Sequence, residues 1–242
     1  MINNFIKRNI KIHKVEGFTL AEVLVTFVII GIVSALVIPA IITTTNKIKY
    51  VVKLKKAHSV LSQAFNLIVM DAGGSILNNS NFNSASGGAV ASANSMNDFA
   101  TKLNVIKNCG SSTGCLYTSS LKWLGGTTWR ANLDSDWNGS YGKAILADGS
   151  MMMVSIYNSN CTSGAAGSPL YQSICGYIYI DINGAATPNE FGRDFFAFWI
   201  TKIGIYPIGI LNDGYGCVLN TTGTATNSGC AGKVITQGDM NY

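Results

Sequence analysis

A single carboxylate lies inside an otherwise apolar run, and its position raises the first chemical question about this chain. Residues 18–42 read FTLAEVLVTFVIIGIVSALVIPAII, and Glu22 is the one charged residue among them. An ionised carboxylate costs on the order of 2.5 to 3.5 kcal/mol at the centre of an apolar span, and less near an end. We therefore expect a cation to compensate Glu22. The alternative is a snorkelling or protonated carboxyl group that has no partner.

Six cysteines form a second set of reactive residues, and all of them lie beyond residue 108. They are Cys109, Cys115, Cys161, Cys175, Cys217 and Cys230. An even number favours disulfides and an oxidising compartment. The sequence leaves the connectivity open; we favour the three pairs of neighbours, each worth about 2 to 3 kcal/mol in the chain-entropy model. A zinc site is the alternative, although this region has no Cys-x-x-Cys spacing and no histidine.

Carboxylate and amide side chains are concentrated in residues 181–194, which read DINGAATPNEFGRD. They are Asp181, Asn183, Asn189, Glu190 and Asp194. Oxygen-rich loops of this kind can hold calcium, but the spacing of an EF-hand is absent. Asx turns explain the same composition and are the favoured explanation. Calcium binding by this loop stays open, and our prediction contains no metal.

Two further groups of side chains have the composition of binding surfaces. The aromatic group is Trp123, Trp129, Trp137 and Tyr141, which could stack on a sugar or a nucleobase. The basic group is Lys47, Lys49, Lys53, Lys55 and Lys56, which would suit anionic lipid head groups or an acidic helix. Core packing is the favoured explanation of the aromatic group, and a solvated helix face explains the lysines nearly as well.

Catalytic chemistry has little support in the sequence. The two histidines are His13 and His58, and both precede the cysteine-containing region. No P-loop or histidine-metal motif occurs. We therefore predict that the chain is not an enzyme and requires no cofactor.

The apolar run has the length of a membrane-spanning helix. At 1.5 Å per residue, residues 18–42 make a helix of about 37 Å, which is enough to cross a bilayer. A secretory signal peptide would have a shorter apolar core with its cleavage site after it, whereas here a glycine precedes the run. Gly31 and Pro39 predict a local kink or a melted turn inside this helix.

The helix is predicted to continue beyond the membrane as an amphipathic segment. Its apolar side chains recur mostly at three- and four-residue spacing, namely Leu54, Ala57, Leu61, Ala64, Phe65 and Ile68. The helix is expected to end near Gly73 and Gly74, because glycine commonly terminates helices.

The rest of the chain predicts loops and strands. Residues 73–95 are rich in Gly, Ser and Asn and are expected to form a loop, followed by a short helix with Phe99, Leu103 and Ile106 on one face. Residues 143–157 predict two strands joined by a tight turn. The runs GYIYIDI, DFFAFWI and GIYPIGIL predict further strands, and roughly the last 30 residues have a loop-like composition.

Charge is distributed unevenly along the chain. Four basic residues precede the apolar run and five lysines follow it closely, so the positive-inside rule does not orient the helix. Beyond residue 60, eight basic and ten acidic residues leave the chain close to neutral, which argues against a broad nucleic-acid footprint. Disulfide formation would require the oxidising side of the membrane for this part, leaving the N-terminal residues in the cytoplasm.

The run G-F-T-L-A-E-V-L-V, which begins at Gly17, resembles the cleavage and methylation motif of type IV prepilins and of the pseudopilins of type II secretion. A basic leader before the motif and an apolar helix after it belong to the same pattern. The resemblance is close over about the first 70 residues, Gly31 and Pro39 included. The remainder of the chain resembles these proteins in general plan.

This resemblance implies a role for the residues near the junction. A prepilin peptidase would cut between Gly17 and Phe18, since glycine lets the backbone lie extended in a protease cleft. The new amine of Phe18 would be methylated and would keep its positive charge. Glu22 would pair with this ammonium, within one chain or, as the resemblance favours, from a neighbouring subunit whose axial register it would set.

These interpretations divide the chain into four segments. Residues 1–17 are predicted to be a cleaved basic leader, residues 18–42 a transmembrane and filament-core helix, residues 43–72 its amphipathic continuation, and residues 73–242 a periplasmic or extracellular globular domain. We predict an α+β pilin-like fold, in which a long N-terminal helix packs on an antiparallel β-sheet with a disulfide-bonded variable region.

The predicted function is that of a structural subunit of a type IV pilus or a related filament, polymerised through its N-terminal helix. The resemblance implies four protein partners: prepilin peptidase, other pilin subunits, an inner-membrane assembly platform and an ATPase. Before assembly the chain would be a single-pass inner-membrane protein in contact with lipid, and afterwards part of a cell-surface or periplasmic filament. The alternatives are a membrane-anchored binding module for adhesion or DNA uptake and a tethered periplasmic enzyme.

Overall fold

The structure is a computed structural model that describes residues 17–82, 88–137, 139–163, 172–210, 213–219 and 222–242. Of the predicted leader, residues 1–17, all but Gly17 lie outside the described residues. The chain divides into two units, Met1–Thr45 and Asn46–Tyr242.

The helices and strands alternate irregularly along the chain. The helices are α1 (Leu20–Asp71), α2 (Gly88–Lys102), α3 (Leu133–Asp136), α4 (Thr224–Asn227) and α5 (Cys230–Gln237). The strands are β1 (Val105–Gly110), β2 (Leu121–Lys122), β3 (Thr128–Arg130), β4 (Gly142–Leu146), β5 (Met151–Ile156), β6 (Ile174–Asp181), β7 (Phe195–Thr201) and β8 (Ile205–Pro207). Two short 3-10 turns, Ile76–Asn78 and Ser80–Phe82, follow α1.

The first part of α1 is helical without interruption through Gly31 and Pro39. Proline removes only one backbone hydrogen bond, and the bonds of the adjacent turns continue the helix on both sides. The melted turn predicted from these two residues is therefore wrong.

From Asn46 onward, one face of α1 is buried. The buried side chains are Val51, Leu54, Leu61, Ala64, Phe65 and Ile68. Their spacing is that of an amphipathic helix, as the sequence predicts. The helix ends at Asp71, and Gly73 and Gly74 adopt positive φ while the Gly74 N–H donates to the Val69 carbonyl. This is the glycine-terminated end that the sequence predicts.

Within the described residues, six strands form one antiparallel sheet in the order β1-β4-β5-β6-β7-β8, and β2 pairs with β3 in a second sheet. Alternate residues of the central strands reach opposite faces: Ile178 and Ile180 pack with the α1 side chains, whereas Tyr179 packs in a separate aromatic cluster. Both faces of the sheet are thus buried. The fold is α+β and pilin-like: the long N-terminal helix packs on a six-stranded antiparallel sheet, with three disulfides.

The first half of helix α2, residues 88–95, lies in a region that the sequence predicts as loop, so this part of the prediction is wrong. The second half contains Phe99 and belongs to the short helix that the sequence predicts. The helix approaches β4 closely: a Cβ on Gly142 would lie 2.1 Å from the Ser92 carbonyl oxygen. Small residues on both elements permit this contact, and burial against the sheet outweighs the weak helix propensity of the segment. Ile106 does not share the buried face of Phe99, because it lies on β1 and is 68% exposed.

The sequence predicts loop for roughly the last 30 residues, and this prediction is wrong for helix α5. Helix α5 buries Cys230, Ala231 and Val234 and ends at Gly238, which has a φ of 75°. A Cβ on Gly232 would lie 2.4 Å from the backbone carbon of Gly209, so glycine allows the helix to sit directly against the segment after β8. Packing against residues that are distant in the sequence, rather than local composition, therefore determines that this segment is helical.

Candidate functional site

The junction between Gly17 and Phe18 lies immediately before α1, and the two polar residues of the motif close the end of that helix. The backbone N–H of Thr19 donates to Oε2 of Glu22 at 2.7 Å, and the Thr19 hydroxyl donates to the same oxygen at 2.8 Å. In return, the Glu22 N–H donates to the Thr19 hydroxyl oxygen at 3.3 Å. The Thr19 carbonyl accepts the first intrahelical bond, from the N–H of Val23. Thr19 and Glu22 therefore form a capping box.

This capping box gives the Glu22 carboxylate a local partner in the uncut chain. Because helix N-termini have unpaired N–H groups and a positive partial charge, a carboxylate in the first turn is favoured there. Sequence reasoning gave Thr19 no role of its own, although the T-x-x-E spacing is a recognisable sign of a capping box. The pairing of Glu22 with an amine of Phe18 stays a prediction.

The apolar side chains that surround the motif are exposed. Phe18 is 88% exposed, and the most apolar window of α1 has no buried residue. Among the described residues, α1 is the helix that is long and apolar enough to cross a membrane. Contiguous apolar surface of this extent requires lipid or another protein to cover it.

Three of the five lysines that follow the apolar run contact other parts of their own unit. Lys53 Nζ donates to the Ile182 carbonyl at 2.9 Å, and Lys56 forms an ion pair of 3.1 Å with Asp148. Lys47 Nζ donates to the side-chain oxygen of Asn241 at 3.3 Å. These contacts use part of the basic face inside the unit Asn46–Tyr242, which weakens the case for a dedicated lipid-binding surface.

The aromatic group packs in the core, as the sequence favours. Trp123, Trp137 and Tyr141 are buried, and Trp129 is partly buried against them. The guanidinium of Arg130 lies over the rings of Trp129 and Trp137, at 5.2 and 5.5 Å from their centroids. Such an arrangement stabilises the sheet face opposite α1 and leaves little ring surface for a stacked ligand.

His58 also has a structural environment. Its ring stacks on Phe198 with centroids 5.6 Å apart, and its Nε2 lies 3.1 Å from the Ile205 carbonyl oxygen. The second histidine of the chain, His13, lies outside the described residues. These two contacts pack the His58 ring against the sheet and give it a structural role.

The cysteines are joined as three neighbouring pairs. Disulfides connect Cys109 with Cys115, Cys161 with Cys175, and Cys217 with Cys230. These are the pairs that the sequence favours, and within the described residues no cysteine is free. The bridges tie β1 to the loop after it, the loop after β5 to β6, and the start of α5 to the preceding loop.

The oxygen-rich segment connects β6 with β7. Asp181 ends β6 and accepts the Asn183 N–H at 3.1 Å, which is the Asx turn that the sequence favours. Asp194 accepts the N–H groups of Asn189 and Glu190 at 2.8 and 2.7 Å. Burial raises the pKa of Asp194 to about 6 and raises the pKa of Asp181 well above its ordinary value.

Glu190 stands apart from the other acidic residues of this segment, because its carboxylate is paired with the Arg193 guanidinium at 2.7 Å. Within the described residues, no three His, Cys, Asp or Glu side chains are grouped as they would be in a metal site made of those residue types alone. A metal site at the β6–β7 connection would therefore require amide oxygens in addition to the buried carboxylates of Asp181 and Asp194.

Comparison with known proteins adds one match. The family model described as the prokaryotic N-terminal methylation motif matches residues 12–38. No curated protein and no solved structure matches the chain. The matched motif is the signature of type IV prepilins and pseudopilins, and it implies processing by prepilin peptidase and assembly with other pilin subunits. The methylation motif thus supports a type IV pilin-like or pseudopilin subunit.

Proposed function

We propose that this chain is a filament subunit that is made as a membrane-anchored prepilin, cut between Gly17 and Phe18, methylated on Phe18 and polymerised through residues 18–42. The unit Asn46–Tyr242 lies outside the cytoplasm, where its disulfides form. An assembly platform in the inner membrane and an ATPase extract the subunit from the bilayer. The function is structural, with no catalytic step of its own.

The observation that carries this proposal is the apolar surface directly after the methylation motif. The side chains of this segment are exposed throughout its most apolar window, so no part of the chain that the structure describes covers them. Lipid covers them before assembly, and equivalent helices of neighbouring subunits cover them in a filament core. A simple membrane anchor would also be covered by lipid, but it would not need the methylation motif that precedes the helix.

Glu22 has two separable tasks under this proposal. Its hydrogen bonds to Thr19 close the helix end before and after cleavage. Its charge pairs with the methylated amine of a neighbouring subunit and fixes the axial register. Glutamine can replace glutamate in a capping box but cannot pair with an ammonium, so the two tasks can be tested one at a time.

The test compares Glu22→Gln with Thr19→Ala in cells that lack the parental subunit. Both variants are expected to be cleaved at the same site as the parent. Glu22→Gln should lower the yield of sheared filaments by about tenfold or more, as expected for the loss of roughly 1.4 kcal/mol per subunit contact. Thr19→Ala removes a cap worth about 1 kcal/mol, retains the charge, and should leave most filaments intact.

Filament yields for Glu22→Gln equal to those of the parent would contradict the pairing of charges. An equal loss in both variants would assign Glu22 to helix capping alone. Glu22→Ala, which removes both tasks, should be at least as defective as Glu22→Gln while its cleavage proceeds.

A further inference from the structure

Arg130 is a cation without an anion in the part of the chain that the structure describes. Its guanidinium lies over the rings of Trp129 and Trp137, and its buried Nε has no hydrogen-bond partner among the described residues. None of the ion pairs between these residues includes Arg130, whereas Arg193 is paired with Glu190. Buried polar groups nearly always have a partner, because an unpaired one loses its interaction with water without replacement. Since Arg130 is partly exposed, an anion from outside the chain can supply this partner.

Tyrosine side chains lie next to this arginine, on the sheet face opposite α1. The hydroxyls of Tyr141 and Tyr177 are 2.9 Å apart and share a hydrogen bond. The ring centroid of Tyr177 is 5.0 Å from that of Tyr179 and 5.7 Å from that of Tyr157. The charge of Arg130 acts on Tyr141 and on Tyr179, so both side chains lie within range of its electrostatic field.

A fifth tyrosine, Tyr215, lies beside Trp199, with ring centroids 5.5 Å apart. It is close enough to Tyr157 and Tyr179 to interact with each of them electrostatically. Tyr157 is 44% exposed, and Tyr177 and Tyr215 are partly exposed, so solvent reaches this surface. The name tyrosine group is used below for Tyr141, Tyr157, Tyr177, Tyr179 and Tyr215.

Four hydroxyls of the tyrosine group remain protonated at neutral pH. Burial raises the pKa of Tyr157 to about 12. Burial also raises the pKa of Tyr141, Tyr179 and Tyr215 above the ordinary value. A neutral tyrosine hydroxyl both donates and accepts hydrogen bonds, and its ring offers an apolar surface. Sugars match such groups, because their hydroxyls also donate and accept while their C–H bonds form apolar faces.

The charges around the tyrosine group are arranged asymmetrically. Arg130 is near Tyr141. The carboxylate of Asp213 instead adjoins Tyr215. Asp213 is buried, and it accepts the N–H groups of Gly209 and Tyr215 at 2.6 and 3.0 Å. A ligand with one negative charge would therefore be attracted to the Arg130 end of the surface and repelled from the Asp213 end.

We propose that Arg130 and the tyrosine group bind an acidic sugar, which is a saccharide unit that carries one carboxylate. The guanidinium fits a carboxylate through two parallel hydrogen bonds, and its contact with two tryptophan rings fixes its plane. The tyrosine hydroxyls bond to the hydroxyls of the sugar. Because the tryptophan rings are covered by their neighbours and by Arg130, charge and hydrogen bonds hold the sugar rather than stacking on tryptophan.

A single arginine suits one carboxylate better than it suits a polyanion. Nucleic acids are bound by several Lys and Arg residues that neutralise successive phosphates. Beyond residue 60 the chain has eight basic and ten acidic residues, and this balance does not favour binding of DNA or RNA. An acidic sugar is therefore the favoured ligand.

The experiment uses the full chain in detergent, because sugar binding by the unit Asn46–Tyr242 does not require filament assembly. Two pairs of probes differ only in the carboxylate: methyl glucuronide against methyl glucoside, and methyl galacturonide against methyl galactoside. Binding is followed by tryptophan fluorescence, since Arg130 contacts Trp129 and Trp137. At least one uronide should bind with a Kd of about 1 mM, as expected for a ligand of this size. Its neutral counterpart should bind about tenfold more weakly.

Arg130→Gln is the informative variant, because it removes the charge and retains a polar side chain. It should lower the affinity for the uronide by about tenfold or more and leave the weak binding of the neutral sugar unchanged. Arg130→Lys retains the charge without the planar fork, so its loss of affinity should be smaller. Arg193→Gln is the matched control: Arg193 is paired with Glu190, and this variant should bind like the parent. Circular dichroism verifies that each variant is folded.

The absence of binding by both uronides would overturn the proposal, and this measurement on the parental chain does not depend on whether a variant folds. Equal affinities for a uronide and its neutral counterpart would overturn the role of Arg130, as would equal losses in Arg130→Gln and Arg193→Gln. Sodium acetate that binds as tightly as the uronide would overturn the sugar as the ligand. Tighter binding of single-stranded oligothymidylate, with a steep dependence on salt, would assign the surface to nucleic acid instead.

Discussion

The apolar part of α1 and the unit Asn46–Tyr242 contain similar hydrophobic side chains. In the first region these side chains are exposed, whereas in the second most of them are buried. Phe27 is 67% exposed, whereas Phe65, on the same helix, is 1% exposed. In the second unit, apolar residues lie on the two buried faces of the sheet or follow a helical stripe, so the unit itself covers them. In the first, they surround the helix on all sides.

This difference indicates which partners each region has. A stripe on one face is sufficient for packing inside a chain, whereas a helix that is apolar all round must be covered by lipid or by other helices. Burial in the second unit stabilises the subunit; the surface of residues 18–42 is reserved for the membrane and, as we propose, for the filament. Each of the following experiments changes one region and measures the other as a control.

The largest expected effect distinguishes two phenylalanines. Phe65→Ala should lower the free energy of unfolding in urea by about 3 to 5 kcal/mol, because it leaves a cavity in the core. Phe27→Ala should leave this free energy unchanged within about 0.5 kcal/mol but should reduce filament yield. An equal loss of stability in both variants would show that the apolar segment packs inside its own chain, which would remove the contrast between the regions.

A smaller effect is expected from the disulfides, all of which lie in the second unit. Replacing Cys217 and Cys230 together by serine should lower the free energy of unfolding by about 3 kcal/mol, and replacing Cys109 and Cys115 by about 2 kcal/mol, since the second loop is shorter. Leader cleavage should be unaffected in both double variants. Peptide mapping without reduction should find the three neighbouring bridges in the parent. Free thiols throughout would contradict the oxidising location.

The elements that could be predicted from the sequence are those that local patterns specify. Short β-rich apolar runs bounded by turn residues predict β4 to β7. Three- and four-residue spacing predicts the buried stripe of α1, because the contacts repeat with the geometry of the helix. The first half of α2 and the whole of α5 were not predicted. Their small residues pack closely against Gly142 and Gly209, which are distant in the sequence.

The candidate sites divide in the same way. Gly17, Phe18 and Glu22 lie close together in the sequence, so the sequence alone shows the motif. The T-x-x-E spacing would also have revealed the capping role of Thr19. The acidic residues of the β6–β7 connection, Asp181 and Asp194, are close in sequence as well. Tyr117 and Tyr50 could not be associated with them, because only the folded chain brings these hydroxyls to the β6–β7 connection.

Mass spectrometry of the mature protein isolated from membranes and filaments tests the central claim most directly. The proposed function predicts an N-terminal peptide that begins with a methylated Phe18, and no peptide from residues 1–17 in the assembled material. Mature protein that retains Met1 and the leader would contradict the claim, and would leave a tethered domain with three disulfides in place of a filament subunit.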